Sequence, residues 1–260
     1  MSEMLPFDTG QDVRRAARAG FRGVTVGKAP GYVQANIFIL PEDHADDFEA
    51  FCQANAAACP LIIRGDAGDV RLAALGEDID IRTDLPSYIL HQAGNELVLG
   101  EIADVWQSGS VAFAIGCWLG AEGALASAGI RMRHRELGLQ GGLYRTSVPA
   151  KAVGPFSGPL VVSMRPFYDV DLDTVRSIAA TMPLSHGAPL HQGDPALLGI
   201  SDLAAADWGD PVLPQTTETA VFWPCGLTAL AALKAADLPF FISHAPGAML
   251  VTDLKESILP

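Results

Sequence analysis

The sequence predicts an α/β protein: a mixed or parallel sheet core with a duplicated strand–Cys–helix–strand–His unit, plus a smaller inserted α+β domain. Near the C-terminus, an apolar run ends at Cys225, a helix pattern of small residues follows, and a second apolar run leads to His244. An earlier stretch has the same order, with Cys117 and His134 in the corresponding places. Ligands of parallel α/β sheets collect at the carboxyl ends of strands, so we expect these four side chains to converge at one sheet edge.

The chain before the first unit is predicted to alternate helices with strands. Thr9 is a suitable N-cap for a helix that ends at Gly20. Gly31 opens a strand through Leu40, and Pro41 starts a helix with an acidic first turn, as the helix dipole favours. A strand in the sequence LIIRG and several short strands then lead into the first unit. This alternation is typical of an α/β core.

The segment between the two units has shorter elements and more turn residues. Strands are predicted at residues 143–148 and 159–166, and a helix with an Asp-rich start at residues 172–182. These elements fit a small α+β insertion. The predicted domains are a discontinuous core of residues 1–137 and 215–260 and an inserted domain of residues 138–214.

The acidic net charge of the chain argues against anionic macromolecules as partners. The 260 residues include 17 basic and 30 acidic side chains, which give a formal net charge of −13. Nucleic acids and anionic membranes would be repelled, because no basic run offsets this charge. We therefore expect a small carboxylate-bearing substrate held by internal arginines, no nucleic-acid or membrane partner, and either a monomer or a homo-oligomer.

The predicted location is the cytoplasm. The N-terminus lacks the basic segment and apolar core of a secretory signal, and no stretch of about 18 residues is apolar enough to span a bilayer. The four cysteines form neither a CxxC motif nor a zinc-type spacing. We therefore predict no cofactor, with a divalent metal as an alternative only in the segment HGAPLHQGDP.

Cys117 and Cys225 are the candidate catalytic thiols. Each follows a predicted strand and precedes a predicted helix. A helix N-terminus lowers the pKa of a thiol, because its dipole and free N–H groups favour the thiolate. Two such thiols facing each other could act as acid and base on opposite faces of one carbon. The alternative is that each cysteine packs in the core.

Other candidate acids and bases lie in the helix after the first cysteine and in a polar loop. Glu122 is either solvent-facing or a buried acid with a raised pKa, which would suit proton transfer. His186, His191 and Asp194 lie in HGAPLHQGDP. The spacing of the two histidines matches neither HExxH nor a facial triad, so acid–base work or substrate binding is favoured over metal. His244 is a further candidate base.

Five residues are candidates for substrate binding on strands or at their ends. Arg145 and Arg165 follow strand-like runs, and a guanidinium can hold a carboxylate through two hydrogen bonds. Tyr144 would add a hydroxyl donor. Gln34 and Asn36 share one face of a strand, where they either contact substrate or bond to backbone. For each arginine, a surface ion pair is the alternative, and Asp194 is expected to contact the substrate from its loop.

Several longer stretches carry a family resemblance. They include APGYVQANIFILP, VAFAIGC with Glu122, LYRTSVPA, GPFSGPLVVSMRP, HGAPLHQGDP, VFWPCGLT and SHAPGAMLVTDL, between about residues 29 and 254. In these stretches the chain closely resembles the D-glutamate cyclase family, whose bacterial members are described as hydro-lyases. One departure is the sequence CWLGAE, where family members resemble CSFSFE. A contribution from a serine hydroxyl in the family's site would therefore be missing here.

The resemblance implies intramolecular dehydration of D-glutamate, or of a related small amino acid, to 5-oxo-D-proline, or the reverse reaction. The amine must lose a proton, the γ-carboxylate must be protonated and attacked, and the oxyanion must be stabilised before water leaves. Arg145 or Arg165 would hold the α-carboxylate, and Glu122 would donate a proton. One of the three candidate histidines would be the base. The thiols would supply donors or form a thioester.

Two other functions stay open from the sequence. The paired cysteines suggest an amino-acid racemase or epimerase that uses two thiols. A carboxylate-binding protein without catalytic activity would use the same arginines and would tolerate the loss of a thiol.

Overall fold

The computed structural model describes residues 7–256 and shows six α-helices and two β-sheets in this range. The predicted α/β class is confirmed. The helices are α1 (Gly10–Arg18), α2 (Ala45–Ala54), α3 (Leu119–Ser127), α4 (Arg133–Glu136), α5 (Leu172–Ala180) and α6 (Leu227–Ala235). The strands are β1 (Tyr32–Pro41), β2 (Leu61–Arg64), β3 (Tyr88–Gln92), β4 (Asn95–Leu99), β5 (Ser110–Ile115), β6 (Gly142–Pro149), β7 (Pro159–Tyr168), β8 (His191–Gln192), β9 (Trp208–Gly209), β10 (Glu218–Pro224), β11 (Phe240–His244) and β12 (Leu250–Lys255).

The two sheets are antiparallel, and the predicted mixed or parallel core is wrong. The first sheet has the order β2-β5-β1-β11-β3-β4, with β12 also paired to β1, and the second has the order β8-β10-β7-β6-β9. Every strand pair within residues 7–256 is antiparallel. The reason is that β5 lies between β1 and β2, and β10 lies between β7 and β8. Strands joined through a helix are thus separated by a third strand, whereas a direct crossover would pair them in parallel.

Two regions of the fold share the same strand register. β1 and β7 are each followed by a three-residue 3-10 helix and then by an α-helix. Asn36 lies opposite Ile115 in the β1–β5 pair, and Ser163 lies opposite Trp223 in the β7–β10 pair. Ile115 and Trp223 each lie two residues before a cysteine. The two cysteine-bearing turns therefore occupy corresponding positions in the two sheets.

The predicted duplicated unit is present only in part. The strand–Cys–helix order occurs twice, in β5–α3 and in β10–α6. After α3, the apolar residues Ile130 and Met132 pack against other core residues and form no strand, and His134 lies in the short helix α4. After α6 the chain does form a strand, β11, but β10 and β11 belong to different sheets. Helix α6 therefore connects the two sheets.

A shared apolar cluster brings the first cysteine turn to the second sheet. Trp118 and Leu125 of the α3 region pack with Phe167 of β7, Val175 of α5 and Trp223 of β10. Burying such aromatic side chains contributes roughly 1.5–3 kcal/mol each. The helix that follows a strand of the first sheet is therefore held against the second sheet.

Several local predictions agree with the structure. Thr9 caps α1, because its hydroxyl accepts a hydrogen bond from the amide of Asp12 and the Asp12 carboxylate accepts one from Thr9 N–H. The predicted division into two domains stays a prediction. Strand β10, which that division placed in the core, pairs with β7 and β8 of the segment 138–214. Within residues 7–256, no helix is both long enough and apolar enough to cross a membrane.

Candidate active site

The two cysteine turns line one cavity with a volume of about 160 Å³. Cys117 and Cys225 contribute to its wall together with Arg165, His186 and His244. Residues from both sheets therefore meet here, and the expected convergence of the two thiols with His244 is observed. The fourth member of that expectation, the histidine of α4, does not line this cavity.

Both thiols lie at helix N-termini, yet burial controls their ionisation. The backbone amides of Leu119 and Leu227 favour the thiolate forms of Cys117 and Cys225, respectively. Although each cysteine is only half-buried, its surroundings are sufficiently dry that burial raises the pKa of Cys117 to about 12 and also raises the pKa of Cys225. The predicted lowering of the thiol pKa is therefore wrong. At neutral pH both groups are S–H donors.

Arg165 is a buried guanidinium without a carboxylate partner in residues 7–256. Its side chain is 5% exposed, its Nη1 donates to the carbonyl of Met164 at 2.9 Å, and its Nε has no hydrogen-bond partner. The ring centre of Trp118 lies 4.9 Å from Cζ. A Cβ on Gly141, whose φ is +84°, would lie 2.6 Å from Cζ, so this close approach requires glycine. Burial lowers the pKa of Arg165, and an anionic ligand would offset that cost.

Two neutral imidazoles contribute to the cavity wall. His186 Nδ1 lies 2.8 Å from the carbonyl oxygen of Ala57. Because a carbonyl only accepts, Nδ1 carries the proton, and Nε2 of the neutral ring keeps its lone pair. His244 Nδ1 lies 3.3 Å from the backbone nitrogen and 3.4 Å from the carbonyl oxygen of Ile37, and the tautomer that donates to the carbonyl leaves a lone pair on Nε2. Burial lowers the pKa of His186 and of His244 to about 4, so both rings are neutral bases at pH 7.

Asn36 connects the two cysteine turns. Its Nδ2 donates to the carbonyl of Gly116 at 2.8 Å, directly before Cys117. A Cβ on Gly226 would lie 2.9 Å from the same nitrogen, which places the amide directly beside the second turn. Asn36 therefore bonds to backbone and also lines the cavity, and its contact with a substrate stays a prediction.

Glu122 does not line the cavity that contains the thiols. It lines a second cavity of about 110 Å³, together with Gln34 and Glu256. His134 Nε2 is 2.9 Å from a Glu122 oxygen, and the His134 ring contacts the edge of Trp118 at a centroid distance of 5.7 Å. Gln34 donates to two backbone carbonyls of the loop before β1. The expectation that His134 meets the thiols is wrong. The His134 ring packs against Trp118 and Glu122 and does not line the cavity that contains the thiols. Burial raises the pKa of Glu256 to about 7.

Four further predicted site residues lie outside both cavities. His191 on β8 contacts the carbonyl of Asp194 through Nε2 at 2.8 Å, and the Asp194 carboxylate caps the following 3-10 turn. The Tyr144 hydroxyl donates to the carbonyl of Leu203 at 2.6 Å and is part of the core of the second sheet. Arg145 is exposed and stacks over Trp208. In the structure these four side chains contact backbone groups or neighbouring side chains of the fold, and their functional roles stay predictions.

The two histidines of HGAPLHQGDP lie in different parts of the structure. His186 lines the cavity, whereas His191 lies on β8 with its Nε2 at a backbone carbonyl. Across residues 7–256, no group of three or more His, Cys, Asp or Glu side chains is arranged to hold a metal ion. The geometry therefore does not bring together the residues of the metal site considered for this segment.

Two cavity residues were missed in the sequence. Ser163 precedes Arg165 by two positions in β7, and side chains two apart on a strand point to the same face. That periodicity was a usable signal for Ser163. Trp118 stood out only as a departure from the family pattern, and nothing in the sequence indicated that it would contact the guanidinium.

The antiparallel α/β fold and this cavity define an enzyme-like site with two thiols, two neutral imidazoles and one buried arginine. A family model described as D-glutamate cyclase matches residues 111–253. A protein of Methylobacterium radiotolerans named "Putative hydro-lyase" is 46% identical over 98% of this chain and 94% of that protein. A protein of the same description from Burkholderia multivorans is 47% identical over 100% of this chain and 99% of its own length. The chain belongs to the D-glutamate cyclase family.

This membership confirms the predicted enzyme class, a lyase. The family match extends from β5 to β12 and so includes both cysteine turns. Among solved structures, a nitrogen repressor-like protein from Methanococcus jannaschii aligns at a TM-score of 0.40 and 12% identity, over 90% of this chain and 91% of that one. A similarity of that size supports no conclusion about function.

Proposed function

We propose that this protein catalyses the intramolecular dehydration of D-glutamate, or of a related small amino acid, to 5-oxo-D-proline, and the reverse hydration. The observation that carries the proposal is the buried Arg165 guanidinium, which faces a cavity with two thiols and has no counter-ion in residues 7–256. A carboxylate matches its charge and its two-pronged geometry. A cavity of roughly 150 Å³ accepts a ligand of the size of benzene, so the volume suits a five-carbon amino acid.

In the proposed reaction, Arg165 holds the α-carboxylate. The neutral Nε2 of His186 takes a proton from the α-ammonium group, with His244 as the alternative base. The freed amine attacks the carboxyl carbon, Cδ, of the protonated γ-carboxyl group and forms the new C–N bond. The protonated imidazole then gives its proton to the departing hydroxyl, which leaves as water, and the neutral ring takes the second proton from the nitrogen, which leaves the lactam with one N–H. Because both reacting groups belong to one molecule, holding it in a bent conformation supplies much of the rate enhancement.

The thiols are proposed to act as hydrogen-bond donors to the γ-carboxyl group. The high pKa values that burial imposes favour S–H over thiolate, and each sulfur lies at a helix N-terminus. These positions suit the stabilisation of an oxyanion in the tetrahedral intermediate. Two neutral donors do not ionise the substrate carboxyl group, which must be protonated when the amine attacks.

The test is incubation of the pure protein with D-glutamate, L-glutamate and both enantiomers of 5-oxoproline, followed by chiral chromatography. We expect interconversion of the D-enantiomers by the wild type. Arg165→Gln should lose at least about a hundredfold in kcat/KM, because a buried charged hydrogen-bond partner is removed. Arg145→Gln is the matched control and should stay within about twofold. No conversion in either direction would overturn the proposal.

A two-thiol racemase or epimerase is the second candidate, favoured by the meeting of Cys117 and Cys225 at one cavity. That reaction exchanges the α-hydrogen with solvent. Incubating the protein in deuterium oxide with a panel of amino acids and measuring deuterium at Cα by mass spectrometry separates the two functions. Exchange without lactam formation would support the racemase, and lactam formation without exchange would remove it. Ligand binding with neither reaction would indicate a binding protein.

A further inference from the structure

The wall of the cavity carries a single charged side chain in the described part of the chain, Arg165. The remaining lining consists of thiols, neutral imidazoles, amides, a hydroxyl and many apolar groups. Arg145, the other arginine predicted to bind substrate, does not line the cavity, because it is exposed beside Asp207 and packs over the Trp208 ring. The cavity therefore offers charge compensation for one carboxylate.

Three polar atoms of the wall are fully buried and have no hydrogen-bond partner among residues 7–256. They are Arg165 Nε, Trp118 Nε1 and Ser163 Oγ, and each is a hydrogen-bond donor. Trp118 stacks on the guanidinium at 4.9 Å, and Ser163 shares the strand face of Arg165. Buried donors without acceptors are costly, and a single carboxylate has enough lone pairs to satisfy all three. The donors are thus grouped around the one charged residue.

The rest of the wall is unsuited to a second carboxylate. Leu143, Leu230 and Met249 contribute apolar surface, and both cysteines and both histidines are uncharged at neutral pH. A carboxylate placed there would lose its hydration without gaining a cation. A carboxyl group in such surroundings binds in its protonated form.

We infer that this cavity binds one carboxylate and selects against a second, so that its ligands are small acids with a single ionised carboxyl group: the lactam acid, or the dicarboxylic amino acid with its distal carboxyl group protonated. This inference rests on the proposed function for the identity of the cavity as the reaction site. It adds a subsite, formed by Arg165, Ser163 and Trp118, and a specificity that depends on pH.

The consequence for affinity can be stated in numbers. At pH 8 a distal carboxyl group with an ordinary pKa of about 4.3 is protonated in roughly one molecule in 5,000. If only that form binds, the apparent affinity for a dicarboxylate rises about tenfold for each unit by which the pH falls. A monocarboxylate of equal length stays fully ionised above pH 6 and should bind with constant affinity.

The experiment is isothermal titration of the full chain with pentanoate and with glutarate, two five-carbon acids with one and two carboxylates, between pH 6 and 8.5. At pH 8 pentanoate is expected to bind at least about a hundredfold more tightly, and the difference should shrink by about tenfold per pH unit on acidification. Equal or tighter binding of glutarate at pH 8 would overturn the inference. Failure of both acids to bind would overturn it as well.

Three variants sharpen the test. Arg165→Gln should abolish binding of both acids. Ser163→Ala should weaken pentanoate by about tenfold, since one donor is lost. Leu143→Lys places an ammonium group on β6 opposite Ser163 and should reduce the preference for pentanoate to less than about tenfold. Circular dichroism checks folding, and the wild-type titration decides alone if a variant does not fold.

The inference and the proposed function fail in different ways. Preference for pentanoate without any conversion of D-glutamate would keep the single-carboxylate subsite and remove the cyclase. Conversion of D-glutamate together with tight binding of glutarate at pH 8 would keep the cyclase and remove the selectivity.

Discussion

The two cysteine turns have the same framework and different surroundings. Each follows the central strand of three antiparallel strands and precedes a helix, with matching register to the neighbouring strand. The residue after the cysteine is Trp118 in one turn and Gly226 in the other. Trp118 covers one face of the arginine, whereas Gly226 leaves room for the Asn36 amide. The repeated framework therefore places two different sets of neighbours around its two thiols.

The largest expected effect concerns the sulfur atoms. Cys117→Ala and Cys225→Ala should each lower kcat by about 10²–10³, which is typical for the loss of one oxyanion donor. Cys→Ser at either turn should cost only about tenfold, because a hydroxyl still donates. Steady-state kinetics with D-glutamate checks this. If the serine variants are as inactive as the alanine variants, the thiols act as bases or nucleophiles and not as donors.

The next effect concerns the glycines of the two turns. A Cβ on Gly116 would lie 1.8 Å from the carbonyl oxygen of Leu184, whereas one on Gly226 would meet only the side chain of Asn36 at 2.9 Å. Gly116→Ala should therefore lower the free energy of unfolding by about 3 kcal/mol, and Gly226→Ala by less than about 1 kcal/mol. Urea denaturation measures both. Equal losses would mean that the two turns are packed alike.

A smaller effect concerns pH. His186 and His244 are neutral in the fold with pKa values of about 4, while an unfolded histidine titrates near 6.5. Between these values the unfolded state binds more protons, so stability falls as the pH falls below about 6.5. At pH 5 the loss is about 2 kcal/mol for each ring. His186→Asn and His244→Asn should each flatten the fall in urea-unfolding free energy between pH 7 and 5, and His44→Asn should leave it unchanged.

The smallest effect is expected at Glu122. Its carboxylate bonds to His134 and lines the neighbouring cavity, so Glu122→Gln should change kcat/KM by less than about fivefold. Glu136→Gln, at an exposed position of α4, is the control. A loss of a hundredfold or more in kcat/KM would show that Glu122 and His134 deliver protons to the thiol cavity. The first cysteine turn would then have a catalytic pair that the second turn lacks.

Much of the local structure was predictable from the sequence, and the sheet arrangement was not. The cap at Thr9, the acidic start of α2 and the strand–Cys–helix order all follow from neighbouring residues. The strand pairing depends on β5 and β10, which insert between helix-connected strands over long sequence separations. Hydrophobic periodicity reports that a strand is buried and carries no information about its partner.

The candidate site divides in the same way. The sequence alone indicated Cys117, Cys225, Arg165 and His186 as candidates for catalysis or substrate binding. It ranked them equally with Arg145 and His191, which the fold places elsewhere. Exposure distinguishes the two arginines, because one guanidinium is solvated and the other is buried without a counter-ion. The exposure of a side chain depends on which helices and strands pack around it, so the neighbouring residues in the sequence do not reveal it.

The sequence by itself determined the residue types, the family and the two thiols at helix N-termini, because these follow from local order along the chain. The tertiary structure alone decided that α6 links two sheets, that Trp118 and Ser163 join Arg165, and that burial outweighs the helix dipole at both sulfurs. The physical reason is desolvation. The ionisation of a buried group depends on how much water its neighbours from distant parts of the chain exclude.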